Sequence, residues 1–217
     1  MTTDRGEREM TRRRAETRRR LVEAAYDVFV ETGIRDAPVE LICDRAGFTR
    51  GAFYSNFASK EELFLAVYRV RMHERAERLG AAVDHALAGV DPAEEGATTR
   101  VLREAGRLFA ESLTADETWY LLNVEFRAQA LRRPELRGPT AAAERDFHDA
   151  LAAILLRMLD RLGMRPAVEP RNAVVTIIAL YETVLERSLL DQEPDDSYLT
   201  DVLPRLFAAL TTAKDTP

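Results

Sequence analysis

Helical spacing of apolar residues is the feature that most restricts the fold of this chain. Apolar side chains recur at intervals that fit one face of a helix, and no segment convincingly alternates apolar and polar residues as a half-buried strand does. The first stripe consists of four apolar residues and ends at a glycine in the position of a helix C-cap: Leu21, Ala25, Val28, Phe29 and Gly33. The pattern predicts an all-α protein.

Composition narrows the class of protein. Hydrophobic residues make up 46% of the 217 residues and charged residues 31%, which is typical of a globular protein. Cys43 is the only cysteine, and the sequence shows neither a signal peptide nor an apolar run long enough to span a membrane. We therefore expect a cytoplasmic protein without disulfide, membrane contact, metal or cofactor.

Charge is distributed unevenly along the chain. Residues 5–20 contain eight arginines and three glutamates, which gives this arm a net charge of +5. The whole chain carries −6, so the remainder carries −11. A basic arm on an acidic body indicates contact with nucleic acid at one end of the chain, with a solvated helix start as the alternative.

The stretch AGFTRGAFYSNF, residues 46–57, predicts a short helix that needs support, because an isolated helix of this length is not stable in water. Thr49 is the predicted N-cap, and Phe48 and Phe53 can form a hydrophobic staple across it. Residues 59–62, Ser-Lys-Glu-Glu, form a capping box that starts a long helix immediately afterwards. The short helix is therefore expected to be fixed at both ends.

A second short helix, PVELICDRAG, precedes this stretch, with Pro38 at its start and Gly47 at its stop. Only a tight turn separates the two helices, which predicts a helix-turn-helix whose second helix enters the DNA major groove. Gly51 permits close approach of the backbone to DNA. Polar side chains nearby can reach bases or phosphates: Thr49, Arg50, Tyr54, Ser55, Asn56 and Lys60. A place in the helical core is the alternative for the aromatic residues, and we expect it for Phe53 and Phe57.

Residues 18–68 resemble the N-terminal domain of the TetR family of bacterial transcriptional regulators. The matching pieces are AAYDVFVETG, VELICDRAGFTRGAFYSNF and SKEELF. The resemblance implies a three-helix DNA-binding domain, a larger all-helical effector domain, a homodimer, and repression that a small molecule relieves.

Carried over by position, the resemblance implies roles for individual residues. Those on the recognition helix are Thr49, Arg50, Gly51 and Tyr54, and the phosphate contacts include Tyr54, Asn56 and Lys60. Arg18 is implied to approach the flanking DNA backbone. The chain departs from the family pattern in having Ala37-Pro38 where a Ser or Thr cap is common, and Asn56 where His is common. Asn56 in place of His affects which base or phosphate this residue can contact, and not the fold.

The sequence predicts two domains, a basic arm with a helix-turn-helix over residues 1–58 and a helical ligand-binding and dimerisation domain over residues 59–217. Breaks rich in Gly, Pro and Asp predict later helices near residues 97–113, 116–133, 140–162, 170–191 and 198–212. The helix that begins at Ser59 continues from the first domain into the second.

Two of the later helices are apolar over more than one face, which indicates burial by a partner as well as by the domain's own core. A two-fold homodimer through a four-helix interface is consistent with the family. The predicted interface residues are Phe147, Leu151, Ile154, Leu155, Ile178, Leu185 and Leu189. A core within one chain is the alternative.

A ligand site is predicted around one face of the helix near residues 116–133. Asn123 is the polar member of that face and needs a hydrogen-bond partner if buried, which a ligand, a neighbouring helix or water can supply. The predicted ligand contacts are Phe109, Trp119, Asn123, Phe126, Met158 and Tyr181, of which Phe109, Met158 and Tyr181 are added by analogy with the family. Such walls favour a partly apolar small molecule.

The function that this sequence predicts is a ligand-responsive, homodimeric repressor that a small molecule releases from a double-stranded DNA operator. The alternative is a helical protein-interaction scaffold with a non-functional helix-turn-helix. An enzyme is not expected, because His73, His85 and His148 are scattered and no metal-ligand cluster or phosphate-binding glycine loop is present. His73 and Glu77 share a helix face, which indicates a solvated surface rather than a metal site.

Overall fold

The computed structural model describes residues 3–91, 94, 96–114, 117–191 and 202–213. The elements are α1 (Thr3–Asp36), α2 (Val39–Ala46), α3 (Arg50–Tyr54), α4 (Lys60–Ala86), α5 (Ala97–Thr114), α6 (Glu117–Arg132), α7 (Pro134–Arg161), β1 (Met164–Pro166), α8 (Pro170–Asp191), α9 (Leu203–Ala209) and β2 (Thr211–Ala213). The predicted all-α fold with an N-terminal helix-turn-helix and a helical C-terminal part is confirmed.

Local signals set most of the early boundaries. Gly47 adopts the left-handed conformation with φ of 71° and ends α2. Gly33, with φ of 75°, interrupts α1 at the predicted stop, and one more helical turn follows it. Pro38 is the residue before α2 rather than its first helical residue, and it makes no side-chain cap.

A short strand, β2, replaces the end of the last predicted helix and pairs with β1, which lies between α7 and α8. Strands β1 and β2 pair antiparallel, with Arg165 opposite Thr212, and the Ala167 N–H donates to the Leu210 carbonyl at 2.8 Å. The helix predicted over residues 198–212 is therefore wrong at its C-terminal end, because α9 stops at Ala209 and the chain turns to pair with β1. The start of that prediction, residues 198–201, lies outside the described residues.

The junction between α6 and α7 is shorter than the sequence suggests. Only Arg133 separates the two helices, and Pro134 occupies the first position of α7, where its missing N–H costs nothing. The helix then continues through Pro139, so the predicted break over RRPELRGPT is confined to its first residues.

The chain divides into two compact units. The first comprises Met1–Arg71 and Asp116–Ala143, and the second comprises Met72–Ala115 and Glu144–Pro217. This grouping does not follow the predicted division at residues 58 and 59, because α6 packs on α1 within the first unit and α4 contributes a half to each unit.

Aromatic rings dominate the core of the first unit. Trp119 of α6 stacks on Phe64 of α4 with ring centroids 5.8 Å apart and planes 11° apart, and Phe126 approaches the same ring at 4.4 Å. Phe29 of α1 lies 5.9 Å from Phe64 on centroids. Because each ring buries a large apolar area, this cluster stabilises the packing of α1, α4 and α6 against one another.

The second unit has an aliphatic core. Leu151, Leu155 and Met158 of α7 are buried together with Val174 and Ile177 of α8. None of the described helices is long and apolar enough to cross a membrane.

Candidate nucleic-acid interface

The cap of α3 is the local reason that this five-residue helix forms. The Thr49 hydroxyl accepts a hydrogen bond from the Ala52 N–H at 3.2 Å, as the sequence predicts. At the start of α4, the Glu62 N–H donates to Ser59 Oγ at 3.2 Å, and the Glu62 carboxylate accepts from the Ala58 N–H at 2.7 Å. The backbone N–H groups at the start of α3 and at the start of α4 are thus hydrogen-bonded to neighbouring side chains.

The two phenylalanines fix which face of α3 points inward. Phe53 and Phe57 are buried, so the prediction that they belong to the core is confirmed. The ring of Tyr54 meets Phe53 edge-on at 5.1 Å, yet Tyr54 is 51% exposed. The outward face is completed by Thr49, Arg50, Gly51 and Ser55, all exposed.

Gly51 is not required by the packing of the chain itself. A Cβ added at this position would meet only Thr49 Oγ1, at 3.7 Å, which is an ordinary contact. Its backbone needs no positive φ, since Gly51 is not among the glycines with that conformation. Glycine within a helix costs about 1 kcal/mol relative to alanine, so a requirement from outside the chain is the simplest reason for it.

Arg50 is held in place by two neighbours on the exposed face. Its Nη1 lies 2.7 Å from a Glu40 carboxylate oxygen, and its guanidinium lies 5.9 Å from the centre of the Tyr54 ring. The hydrogen bond to Tyr54 and then the charge of Glu40 raise the pKa of Arg50, so the side chain stays cationic. A phosphate or a guanine that binds Arg50 has to replace Glu40 as its anionic or acceptor partner.

The basic arm supports the helix-turn-helix directly. Arg18 Nη1 donates to the Asn56 carbonyl at 2.6 Å and the guanidinium covers the Phe57 ring at 4.1 Å. Arg20 Nη2 donates to the Ala46 carbonyl at 2.7 Å. Arg18 is half-buried and supports the end of α3 through these contacts, and its contact with DNA stays a prediction.

Lys60 also has a partner within the chain. Its Nζ donates to the carbonyls of Arg35 and Ala37 at 2.7 and 2.8 Å, which satisfies acceptors at the end of α1. An ammonium group has three donors, so these two bonds leave one for a phosphate. The predicted phosphate contact is compatible with this geometry.

Asn56 is the predicted DNA contact that lies least on the surface. The residue is buried, and its Nδ2 donates to the Ala52 carbonyl at 2.8 Å and to Ser55 Oγ at 3.2 Å. Its Oδ1 is also buried and has no hydrogen-bond partner among the described residues. The side chain closes the end of α3, so a DNA contact through it needs a change of rotamer.

Sequence reasoning missed Glu125 of α6, which holds the kink of α1. Its Oε2 accepts from the Ile34 N–H at 3.0 Å and its Oε1 from the Arg35 N–H at 2.7 Å. A Cβ at Gly33 would lie 3.2 Å from the same carboxylate. These residues are far apart in sequence, and Gly33 was the only local signal of an unusual backbone.

An ion pair joins the first turn of α4 to Arg133, the residue that follows α6. Arg133 donates to the Glu61 carboxylate. Burial raises the pKa of Glu61, but hydrogen bonds from its own backbone N–H and from Ser59, together with Arg133, lower it below its usual value overall. Glu61 is therefore held ionised beside Lys60, at the first turn of α4.

The predicted ligand contacts belong to both units, and they stay predictions. Trp119 and Phe126 lie in the aromatic core of the first unit, and Asn123 of the same helix has a buried Oδ1 without a hydrogen-bond partner among the described residues. Met158 and Tyr181 are buried in the second unit, where Met158 lines a cavity. The Phe109 side chain lies outside the described residues.

The predicted dimer-interface residues are largely covered within the chain. Five of them are buried: Phe147, Leu151, Ile154, Leu155 and Leu185. Ile178 and Leu189 of α8 are half-buried. The half-buried members can add the most area to an interface without rearrangement, and all seven residues stay predicted members of a dimer interface.

No three His, Cys, Asp or Glu side chains gather as a metal site in the part of the chain that the structure describes. His73 lies 3.4 Å from Glu77, with both side chains exposed. This position agrees with the solvated helix face that the sequence suggests.

Comparisons with known proteins agree on one family. Residues 21–67 match the family described as "Bacterial regulatory proteins, tetR family". The chain is 47% identical over 58 residues to the HTH-type transcriptional regulator SrpR of Pseudomonas putida, a match that covers 27% of each protein. It is 31% identical over 146 residues to the HTH-type transcriptional activator FasR of Mycolicibacterium smegmatis, covering 66% of this chain and 61% of FasR.

Both matches span less than two thirds of the relative's length. Among solved structures, the multidrug binding protein EbrR complexed with ethidium is similar, with a TM-score of 0.62 and 26% identity. That similarity covers 88% of this chain and 97% of EbrR. The two relatives are described as transcriptional regulators and EbrR as a binding protein, not as enzymes.

Proposed function

Because the chain belongs to the TetR family of bacterial regulatory proteins, we propose that it is a DNA-binding transcriptional regulator that places α3 in the major groove of an operator. The observation that carries the proposal is the outward face of α3. It combines Arg50 and Tyr54 with Gly51, a glycine that the chain's own packing does not need. A DNA-binding regulator acts in the compartment that contains the bacterial chromosome, so the expected cytoplasmic location follows from the proposal.

The surface left on α8 supports a homodimer. Thr176 and Thr183 donate their hydroxyls to the carbonyls one turn earlier, at 2.8 and 2.9 Å, so their polar atoms are already paired. Val175 and Ala179 are exposed beside them. These four side chains are uncharged, and Glu182 and Glu186 follow them on the same side of α8. The uncharged part can pack against a second copy, and a two-fold dimer would present two copies of α3 to two half-sites.

A small molecule is proposed to release the dimer from DNA. EbrR, which is similar over most of this chain, is described as a multidrug binding protein. For release, the ligand must bind the DNA-incompetent form more tightly than the DNA-competent form. FasR is described as an activator, so the direction of regulation is measured separately, by transcription in vitro with and without protein.

The test is a fluorescence-anisotropy titration of the purified chain against DNA upstream of its own gene, with an unrelated duplex for comparison. Gly51→Ala is expected to preserve folding and to weaken operator binding by at least about tenfold, because a methyl group then separates the backbone from DNA. Arg50→Gln is expected to weaken binding and, if Arg50 contacts a phosphate, to reduce the slope of log K against log salt by about one.

Arg78→Gln on the exposed face of α4 is the matched control for the charge that Arg50→Gln removes.

Oligomeric state is followed by analytical ultracentrifugation, where Ala179→Arg is expected to dissociate the dimer and to lower operator affinity. If neither the upstream DNA nor a library of genomic fragments binds with sequence preference, the protein-interaction scaffold becomes the better interpretation.

A further inference from the structure

The outward face of α6 carries an exposed apolar stripe. Its members recur at helical spacing and therefore lie along one side of the helix: Leu121, Val124, Ala128 and Leu131. Leu121 is 53% exposed, Val124 41% and Leu131 70%, and Ala128 is also exposed. The other apolar face of α6, with Trp119 and Phe126, is buried. The fold of the chain thus covers one of the two apolar faces of this helix.

The charges of α6 stand at the ends of this stripe rather than within it. Glu117 lies in the first turn and Arg132 in the last turn, and both are exposed. Exposed apolar residues that are scattered singly are ordinary on a protein surface. A continuous row of them with a polar boundary is instead typical of a surface that contacts another protein.

We propose that this stripe is a weak contact between two copies of the chain, in which α6 of one copy packs antiparallel on α6 of another copy bound at a neighbouring DNA site. The proposal rests on the DNA-binding function and the homodimer proposed above, and it adds a contact between dimers. Helix α6 belongs to the same compact unit as α3. A contact through α6 therefore joins the units that meet DNA.

An antiparallel two-fold pairing makes the stripe complementary to itself. With the axis between Val124 and Ala128, the larger Val124 side chain faces the smaller Ala128 of the other copy, and Leu121 faces Leu131. The acidic first turn of one helix then lies beside the basic last turn of the other, so Glu117 can pair with Arg132. The two helix dipoles also run in opposite directions, which favours this arrangement over a parallel one.

The size of the stripe indicates a contact that forms on DNA. Four side chains provide far less than the roughly 800 Å² per partner of a stable interface. Two dimers on adjacent sites are held at an effective concentration of roughly a millimolar, at which a weak contact forms. Cooperative binding to paired sites is therefore expected from a dimer that forms no larger assembly at micromolar concentration.

The experiment uses the full chain and the DNA fragment that it prefers, in duplexes with one copy or two copies of the site. The second copy is moved in steps of half a helical turn. At one helical phase, the parent chain is expected to bind paired sites at least about fivefold more tightly than single sites. Half a turn away, the increase should disappear because the two α6 helices then face different sides of the duplex.

Val124→Glu places a charge within the stripe. It is expected to abolish the increase at paired sites and to leave single-site affinity unchanged within about twofold. Val168→Glu is the matched control, since this valine is 42% exposed and lies between β1 and α8, and it should retain the increase. Circular dichroism establishes that both variants fold, and Leu131→Gln replaces a Val124→Glu variant that does not.

Exchange of the end charges tests the antiparallel arrangement. Glu117→Arg and Arg132→Glu each place like charges together and should lower the increase at paired sites. The double variant should restore it, because acidic and basic ends again face each other. A role of either residue within its own chain would not be restored by the exchange.

Sedimentation of the parent chain without DNA, at roughly a millimolar, should show one association step beyond the dimer that Val124→Glu lacks. Absence of this step in the parent chain, or an increase at paired sites that survives Val124→Glu, would overturn the proposal. Loss of the dimer itself in Val124→Glu would overturn it by making α6 the dimer interface. Unchanged cooperativity with altered transcription in vitro would assign the stripe to RNA polymerase instead. Single-site binding is measured in the same titrations, so failure of this contact is distinguished from failure of DNA binding.

Discussion

Removal of the Glu125 carboxylate is expected to destabilise the first unit. In Glu125→Ala, the N–H groups of Ile34 and Arg35 lose their acceptor. Ile34 is buried, so its N–H is left without water, while Arg35 is exposed and its N–H can be rehydrated. One buried unsatisfied donor costs about 1–3 kcal/mol, which sets the expected loss in the free energy of unfolding.

The structure also supplies the assay. Trp119 is the only tryptophan, and it lies in α6, the helix that carries Glu125. Its fluorescence during urea unfolding therefore reports on the same unit. With a slope of roughly 2 kcal/mol per molar urea, the midpoint should fall by roughly 0.5–1.5 M.

Glu125→Gln separates the two contributions of the carboxylate. Each carboxylate oxygen accepts from a different N–H group, and in glutamine the NH₂ that replaces one of these oxygens cannot accept, so an intermediate loss is expected. Glu135→Ala, at an exposed acid of α7, is the control and should change stability by no more than about 0.5 kcal/mol. A midpoint for Glu125→Ala equal to that of the control would refute the assigned role.

Three further predictions concern other sites. Burial, and then the charges of Asp44 and Glu40, raise the pKa of the Cys43 thiol, so native protein should react with DTNB far more slowly than protein in urea; equal rates would contradict this. Because the pKa of Glu61 is lowered, its contribution to stability is present above the usual value of 4.5 and is lost as pH falls through the folded-state pKa. Urea titrations at several acidic pH values should therefore show a smaller loss of stability for Glu61→Gln than for the parent chain. The same dependence of stability on pH in both proteins would count against the ion pair. Gly80→Ala should fold and raise helix stability by up to about 1 kcal/mol, since the added Cβ meets only side-chain atoms at 3.4 Å or more; a lower thermal midpoint would show that α4 and α7 cannot adjust.

The short elements around α3 could be read from the sequence because their signals are local. A threonine that caps its own helix, a capping box at the start of α4 and a left-handed glycine after α2 each act within a few residues. Helical periodicity likewise reports the class of fold, since it depends only on which side chains face inward along one segment. The exposed face of α3 follows once Phe53 and Phe57 are placed in the core.

Tertiary structure decided the uses of the polar residues, because their partners are distant in the chain. Lys60 could be recognised as a cation, but its bonds to carbonyls at the end of α1 depend on how α1 and α4 pack. Asn56 has the polarity of a DNA contact, yet packing turns it inward. The strand pair β1–β2 is likewise a pairing between distant segments, which no local signal in either segment predicts.

The place of α6 shows the same division most clearly. The sequence by itself determined that α6 is a helix with an apolar face containing Trp119 and Phe126. Packing decided that this face meets Phe64 of α4, and that Glu125 accepts the N–H groups beyond Gly33. The physical reason is that a side chain's chemistry is local, whereas the acceptor, ring or cavity that it meets is created only when distant segments are brought together.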